Sequence, residues 1–396
     1  MEFGKRTLQL GEEIGKGSYG HVYRCTINEQ EYAAKVISKD LIFEVLMELV
    51  ILCSIRHPCL LSASFRPRTL NRKDLYVVMP LAVSDLWIYT RTNGGTIDQP
   101  FHTQWVSQLC QALYILHYYD LIHGDIKAKN VLVMSDNRIV LGDFTSSLML
   151  CGQRRRFTHY STTVTHRSLE EFMTRIMPSR YYWTGKPQDI WALGCTLVEM
   201  SFAGGSLVKF WGTAMEDGGD TETVTKTIKQ LTLFLKADSD SATSTLFQDA
   251  TTYSQDCTLD VEKFKMAELS AHGSFGEFLV AFFRLDPSKR HSANDLINHS
   301  FLRGHLLQPG QLMKVPNEAL INMDTFGQSL PDSLDETLVR NIYSKIAHRV
   351  HYPERNKRRT ALLIASLVTH TNIHDWTPQD RKYVILALDR IGMRLL

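Results

Sequence analysis

Three polar side chains that could perform catalysis lie close together in the stretch HGDIKAKNVLV, residues 123 to 133. Asp125, Lys127 and Asn130 fall within six residues, between apolar segments on both sides. Burying such groups costs free energy unless each finds a partner or a ligand. Polar groups confined in this way between buried flanks usually form a site. A capped turn is an equally good interpretation of any one of them alone.

A second carboxylate follows in the stretch LGDFTSS, where Asp143 ends a β-type run thirteen residues after Asn130. Asn130 and Asp143 offer hard oxygen ligands of the kind that Mg²⁺ prefers. The sequence therefore predicts a magnesium site built from these two side chains.

The glycine-rich stretch IGKGSYGHVY contains Gly15, Gly17 and Gly20. Val22 follows the last glycine, in a β-type run. Glycines let a turn bring its backbone N–H groups close to phosphate oxygens. A tight hairpin without any ligand is an alternative of equal weight. A dinucleotide-binding fold is disfavoured, because a strand and not a helix follows the glycines.

A lysine occupies an apolar strand thirteen residues beyond Val22, in the stretch AAKVI. Lys35 is expensive to bury unless an anionic partner meets it. Glu48, on the amphipathic stretch FEVLMELVILCSI, is the natural candidate for that partner. The alternative is that the two are unrelated surface charges.

The elements that must position these side chains change character along the chain. Short β-type runs separated by turns come first, in LQLGEEIG, GHVYRCTI, EYAAKVI and DLYVVMPL. The helical stretch FEVLMELVILCSI interrupts them and ends before His57-Pro58. From about residue 86 the pattern is mostly helical, as in HTQWVSQLCQALYILHYY and DIWALGCTLVEM. A small β-rich lobe is therefore expected before a larger helical one.

The composition excludes several classes of function. The 396 residues are 44% hydrophobic and carry a net charge of +2, so we expect no nucleic acid and no membrane as a partner. No apolar run approaches the roughly 18 residues of a membrane span, and the start lacks the apolar core of a signal peptide. The seven scattered cysteines form no C-x-x-C pair. Reduced thiols and a cytoplasmic or nuclear location are expected.

Taken in order, these motifs resemble those of the eukaryotic-type protein kinases over about residues 8 to 302. Two later stretches add to the resemblance, DIWALGC at 189 to 195 and LDPSKRHSANDLINHSFL at 285 to 302. It implies an α+β, bilobal protein-kinase fold with an N-lobe at about 1–82 and a C-lobe at about 83–302. It also implies that Arg290 pairs with Glu170.

Within that family the sequence resembles the cyclin-dependent kinases in particular, through its glycine loop, the stretch LYVVMPLAVSDL, and Thr158-His159. The resemblance implies ATP as the phosphoryl donor, with Met79 as gatekeeper, Pro80 to Ala82 as hinge and Asp85 as a ribose contact. The residues implied around the adenine are Ile14, Val22, Ala33 and Leu132.

The resemblance also assigns roles to the polar residues. Lys35, held by Glu48, contacts the α and β phosphates of ATP, while Asp143 and Asn130 hold Mg²⁺. Asp125 orients the hydroxyl of a protein substrate and accepts its proton, and Lys127 neutralises charge on the γ-phosphate. Lys127 and Thr163 favour serine or threonine as acceptor. Arg167 matches a position that favours proline after the acceptor.

Several positions depart from the family pattern. Thr145 replaces the glycine of Asp-Phe-Gly, and Leu169 replaces the proline of Ala-Pro-Glu. Three arginines that would hold a phosphothreonine are replaced at once, by Met47, Gly124 and Leu148. The sequence thus predicts activation without that arginine-lined site, unless Arg154 to Arg156 grip a phosphate on Thr158 instead. The rival hypothesis is a pseudokinase, an ATP-binding scaffold that regulates a partner.

The end of the chain is predicted to be separate from the kinase lobes. Residues 303–332 are expected to form a linker and 333–396 a helical extension. Residues 358 to 396 resemble the first two helices of a cyclin box, which implies a helical, cyclin-like activator acting in cis or in trans. The alternative is a plain helical appendage. If the protein is viral, its location would be the host cell.

Overall fold

The structure is a computed structural model. It describes these residues: 2–3, 6–38, 41, 45–65, 68–69, 74–93, 97, 101–119, 121–149, 163–168, 170–171, 185–201, 275–284 and 286–306. The predicted helical extension (333–396), most of the predicted linker (303–332), Arg154 to Arg156, Thr158 and Leu169 lie outside them.

The first part of the chain forms an antiparallel sheet of six strands, in the order β1-β2-β3-β4-β6-β5. Its strands are β1 (Glu2–Phe3), β2 (Arg6–Gly17), β3 (Gly20–Ile27), β4 (Gln30–Ser38), β5 (Arg68–Thr69) and β6 (Asp74–Pro80). The four long strands are those that the sequence predicts. β4 lies between β3 and β6, so that Lys35 pairs with Val22 on one side and Val77 on the other.

Helix α1 (Leu46–Ser54) packs between the sheet and the helical lobe. Its side chains Met47, Leu49, Ile51 and Leu52 are all buried. The helix ends at Ile55, whose extended backbone leads into the predicted stop at His57-Pro58. Because Glu48 lies on the same short helix, burial of the apolar residues also carries its carboxylate into the interior.

The second part of the chain is mainly helical. Its helices are α2 (Leu86–Thr92), α3 (Phe101–Tyr118), α4 (Lys186–Ser201), α5 (Phe275–Val280) and α6 (Ala293–Ile297). α3 and α4 are the helices that the sequence predicts, and most of their side chains are buried in one apolar cluster shared with the sheet and α1. Among the described residues, no helix is long and apolar enough to cross a membrane.

Short strands hold the loops of the helical lobe. The sequence predicts β10 among them, as the β-type run that ends at Asp143, but not the others. They are β7 (Ser84–Asp85), β8 (Leu121–Ile122), β9 (Val131–Val133), β10 (Ile139–Leu141) and β11 (Leu148–Met149). β9 pairs with β7 and β10, and β8 pairs with β11. These pairings fix the two ends of the loops that carry Asp125 and Asp143.

Candidate active site

The glycine-rich hairpin joins β2 to β3, with Gly15 opposite Val22 and Gly17 opposite Gly20. At Gly20 an added Cβ would lie 2.5 Å from the carbonyl oxygen of Val36, so the sheet itself requires glycine there. At Gly15 and Gly17 an added Cβ would meet nothing closer than 3.7 Å and 3.6 Å. The fold therefore does not explain these two glycines, whereas close approach of a ligand to the backbone would.

The residues of the predicted adenine site lie on strands of both lobes. Ala33 is buried in β4 and pairs with Met79 of β6, the predicted gatekeeper. Ile14 is 43% exposed, which is high for a large apolar side chain. Leu132 of β9 is half-buried and pairs with Asp85. Apolar side chains from both lobes are thus available for the flat faces of a base.

The predicted hinge follows β6. Pro80 is the exposed last residue of that strand, and as a proline it has no backbone N–H to donate. Ala82 follows two residues later. Asp85 begins α2 by accepting a hydrogen bond from the Ile88 N–H at 2.8 Å. This cap explains locally why the helix begins there.

Lys35 and Glu48 form a buried ion pair between β4 and α1. The Lys35 ammonium donates to both carboxylate oxygens of Glu48, each at 2.7 Å. Burial raises the pKa of Glu48, the charge of Lys35 opposes this rise, and the charge of Asp143 adds to it. The ion pair therefore holds the Lys35 ammonium group in a fixed position between β4 and α1.

Asp125 is at the centre of a hydrogen-bond cluster. Its Oδ2 accepts from the Lys127 ammonium at 2.5 Å, and its Oδ1 accepts from the Thr163 hydroxyl at 2.8 Å and the Thr163 N–H at 3.1 Å. The Lys127 ammonium also donates to the Thr163 hydroxyl at 3.0 Å. Burial alone would raise the pKa of Asp125, but Lys127 and Thr163 outweigh it and lower the pKa. Asp125 is therefore ionised at neutral pH and can accept a hydrogen bond.

Asn130 links the catalytic loop to the segment that carries Asp143. Its amide nitrogen donates to the backbone oxygen of Asp125 at 2.7 Å and to the Asp125 Oδ2 at 3.3 Å. Its backbone oxygen accepts from the Gly142 N–H at 2.8 Å, directly before Asp143. Because the amide nitrogen is engaged, the amide oxygen of Asn130 is the atom left for a cation.

Asp143 adopts a left-handed backbone conformation, with φ of 54°. Its Oδ1 accepts a hydrogen bond of 2.7 Å from the hydroxyl of Thr145, the residue that replaces the family's glycine. The intervening Phe144 is buried and packs edge-on against His123. The Phe144 ring and the Asp143 Oδ1 are thus fixed by the protein. Asp143 is nevertheless exposed, so its carboxylate is accessible to a ligand.

Gly124, which stands at one of the three replaced arginine positions, has φ of 82°. Only glycine adopts this conformation without strain. The Asp189 carboxylate of α4 fixes the turn by accepting from the His123 N–H at 2.8 Å and the Gly124 N–H at 2.9 Å. His117 of α3 contacts the same carboxylate at 3.0 Å. The motif that contains Asp189 is visible in the sequence, but this anchoring role is not.

The other two replaced positions are also incorporated into the fold. Met47 is 6% exposed and belongs to the main apolar cluster. The backbone of Leu148 lies in β11, where it pairs with Ile122. The segment that carries Thr158 lies outside the described residues.

A buried ion pair stabilises the helical lobe behind the site. The Arg290 guanidinium donates to both oxygens of the Glu170 carboxylate, at 2.8 Å and 3.2 Å, and also to the backbone oxygens of Pro187 and Arg284. This is the pairing that the sequence resemblance implies. It joins residues 120 positions apart and involves no group of the transfer site.

The fit to ATP and Mg²⁺ follows from these donor groups. Asn130 and Asp143 present oxygen atoms of the kind that Mg²⁺ prefers. Lys35 supplies a positive charge for phosphates. At Gly15 and Gly17 the protein itself leaves room for a side chain, so that a ligand can approach the backbone there. The residues therefore fit a magnesium nucleotide. Direct hydrogen bonds join the predicted residues into two groups. One is the pair Lys35 and Glu48, and the other is formed by Asp125, Lys127 and Asn130.

Comparison with known proteins matches the family model described as "Protein kinase domain" to residues 8–302. The serine/threonine-protein kinase GRIK2 of Arabidopsis thaliana is 28% identical over 200 residues, covering 47% of this chain and 48% of that protein. Mitogen-activated protein kinase 8 of Oryza sativa subsp. japonica is 29% identical over 210 residues, covering 48% of this chain and 35% of that protein. The chain thus spans half or less of the length of these curated relatives.

Proposed function

The chain belongs to the protein kinase family, and from that premise we propose that it transfers the γ-phosphoryl group of ATP to serine or threonine hydroxyls of proteins. The observation that carries this proposal is the cluster of Asp125, Lys127 and Thr163. It holds an ionised carboxylate beside an ammonium group in a partly buried site. A structural role alone does not require this combination.

Within that reaction the residues have separate tasks. Asp125 orients the substrate hydroxyl and accepts its proton, and Lys127 stabilises negative charge on the phosphoryl group being transferred. Lys35, fixed by Glu48, binds the phosphates of ATP. Positioning and charge stabilisation provide most of the catalysis in phosphoryl transfer.

Magnesium binding is the second part of the proposal. The oxygens of Asn130 and Asp143 would hold Mg²⁺, which when bound neutralises part of the phosphate charge. Support comes from the hydrogen bonds that orient both side chains, through Asp125 for Asn130 and Thr145 for Asp143.

One assay tests the activity. The protein is incubated with labelled ATP, Mg²⁺ and a generic basic protein, with an acidic protein in parallel, and is compared with Asp143→Asn. We expect transfer by the wild-type protein and little by the variant, with both folded to the same extent by circular dichroism. Transfer no greater than that of the variant would refute the proposal and favour the pseudokinase hypothesis.

Activation without a phosphothreonine clamp is a further part of the proposal. It is supported by Met47, Gly124 and Leu148, which occupy the arginine positions and are held by apolar packing, by Asp189 and by strand pairing. Thr158→Ala should therefore retain its activity. A loss of activity of more than tenfold in Thr158→Ala, restored in Thr158→Glu, would contradict activation without the clamp. It would not contradict the kinase activity itself.

Proline-directed specificity is a finer proposal that rests on the match at Arg167. That side chain is 4% exposed and lies 3.7 Å from the Glu171 carboxylate. A peptide with proline directly after its serine should be phosphorylated faster than the same peptide with alanine there. Equal rates would contradict the proposal.

Kinship with the cyclin-dependent kinases, and a cyclin-like activator in cis or in trans, are proposals supported by sequence resemblance alone. If residues 333–396 brace α1 in cis, truncation after about residue 330 should abolish activity, and separately added tail should restore it. Unchanged activity would eliminate the cis activator. A cytoplasmic or nuclear location is proposed likewise, and fluorescence imaging of tagged protein on a membrane or outside the cell would contradict it.

A further inference from the structure

Three side chains beside the catalytic loop form a cationic patch that has no part in the site described above: Trp87, Arg91 and Lys129. Trp87 and Arg91 lie on α2, and Lys129 lies in the 3-10 turn Ala128–Asn130. The guanidinium carbon of Arg91 is 3.6 Å from the centroid of the Trp87 ring, and the ammonium of Lys129 is 4.7 Å from it. One indole thus holds two positive charges close together.

Among the described residues, no carboxylate forms an ion pair with either cation of the patch. Arg91 and Lys129 are both exposed. Contact with an aromatic face stabilises a cation but leaves its charge in place. The nearby Asp85 carboxylate is engaged at the start of α2, where it accepts from the Ile88 N–H. An anionic ligand would therefore find two available donors.

The position of Lys129 relates the patch to the acceptor site. Lys129 follows Asp125 by four residues, on the loop that also carries Lys127 and Asn130. Since an extended chain spans at most 3.3–3.6 Å per residue, the Cα atoms of Asp125 and Lys129 lie within roughly 14 Å of each other. The same limit applies to a protein substrate whose hydroxyl meets Asp125. Its residues up to about four positions from that hydroxyl also lie within roughly 14 Å of it.

We propose that this cationic patch selects protein substrates with aspartate or glutamate within about four residues of the phosphorylated hydroxyl. Lys129 and Arg91 would pair with those carboxylates, while Trp87 restricts both cations to one surface. The inference rests on the proposed kinase activity and deepens it by naming the class of substrate. It involves a specificity contact and not the chemistry at Asp125.

Two matched peptides test this inference. Both peptides contain one serine. The acidic peptide carries glutamates within four positions on each side of that serine, and the basic peptide carries lysines at the same positions. The quantity measured is the ratio of kcat/KM for the acidic peptide to kcat/KM for the basic peptide. We expect the wild-type protein to favour the acidic peptide, with a preference that weakens as salt is raised because exposed charges are screened.

Charge-reversing variants locate the preference. Lys129→Glu and Arg91→Glu should each lower the ratio roughly tenfold, which corresponds to exchanging a weak attraction for a comparable repulsion at an exposed site. The matched control is Arg303→Glu, an exposed arginine that follows the 3-10 turn Ser300–Leu302. It should leave the ratio unchanged. Using a ratio removes any uniform loss of activity that a variant causes.

The outcomes separate the possible failures. If both peptides are phosphorylated but the ratio does not respond to Lys129→Glu or Arg91→Glu, the inference is wrong, and the two cations serve only to cover Trp87. If the variants change the KM for ATP but not the ratio, the patch serves the nucleotide, which also overturns it. If the wild-type protein phosphorylates no peptide or protein, the proposed function fails and the inference fails with it.

Discussion

The transfer site and the positions of the replaced arginines differ in how their groups are held. In the transfer site, Asp125, Lys127 and Thr163 meet one another through direct side-chain hydrogen bonds. At two of the positions where the sequence resemblance implies phosphothreonine-binding arginines, Met47 packs in the apolar core and Gly124 donates its backbone N–H to Asp189. The comparison shows that the polar side chains of the loop are held by one another. The neighbouring positions are held by apolar packing and by backbone hydrogen bonds.

Removing the carboxylate of the transfer site should have the largest effect. We expect Asp125→Asn to reduce kcat by about 10² to 10⁴, because the substrate hydroxyl loses its proton acceptor. Labelled phosphate transfer to protein measures the loss. Asp136→Asn, at an exposed ion pair with Arg138, is the matched control and should leave kcat unchanged. Comparable activity in both variants would mean that Asp125 does not act as proposed.

Breaking the buried ion pair behind the site should affect stability and not the chemistry. Arg290→Ala leaves the Glu170 carboxylate buried without its partner, and we expect the free energy of unfolding to fall by about 3–5 kcal/mol. Denaturant titration checks this value. Arg24→Ala, which removes exposed ion pairs with Glu12 and Glu31, should lower the free energy of unfolding much less, because water screens exposed charges. Equal losses for the two variants would contradict the assignment.

A side chain at Gly124 tests the backbone support directly. With φ of 82° at this position, Gly124→Ala should cost about 1–2 kcal/mol of stability and also lower kcat by displacing the Asp189-anchored turn. Gly304→Ala is the control, because Gly304 has φ of 85° and open space around its added Cβ. It should lose similar stability without losing activity. If Gly124→Ala is as active as Gly304→Ala, the turn does not matter to catalysis.

The smallest effect is expected at Thr145. Replacing it with valine keeps the shape but removes the hydroxyl that donates to Asp143 Oδ1, so Asp143 should be less well oriented. We expect a few-fold rise in the Mg²⁺ concentration needed for half-maximal binding of a fluorescent ATP analogue, since one such hydrogen bond contributes about 1 kcal/mol. Thr145→Ser should match the wild type. An unchanged Mg²⁺ requirement in Thr145→Val would show that the hydroxyl is dispensable.

The short elements around the site mark the limit of prediction from sequence. The long strands β2, β3, β4 and β6 are predicted from β-type runs bounded by turns, and the helices α1, α3 and α4 from apolar residues at helical spacing. These predictions are confirmed. Strands of two or three residues, such as β8 and β11, contain too few residues to show a period. They form because the surrounding packing brings Leu148 opposite Ile122.

The sequence by itself determined which residue types are available for chemistry and where regular elements begin, because motifs and periodicity are local properties of a chain. It could not show that Asp189 holds Gly124, since those residues are 65 positions apart and meet only when α4 packs beneath the catalytic loop. Nor could it show that Arg91 and Lys129 share the ring of Trp87. Such contacts depend on the packing of every intervening element, so only the tertiary structure decided them.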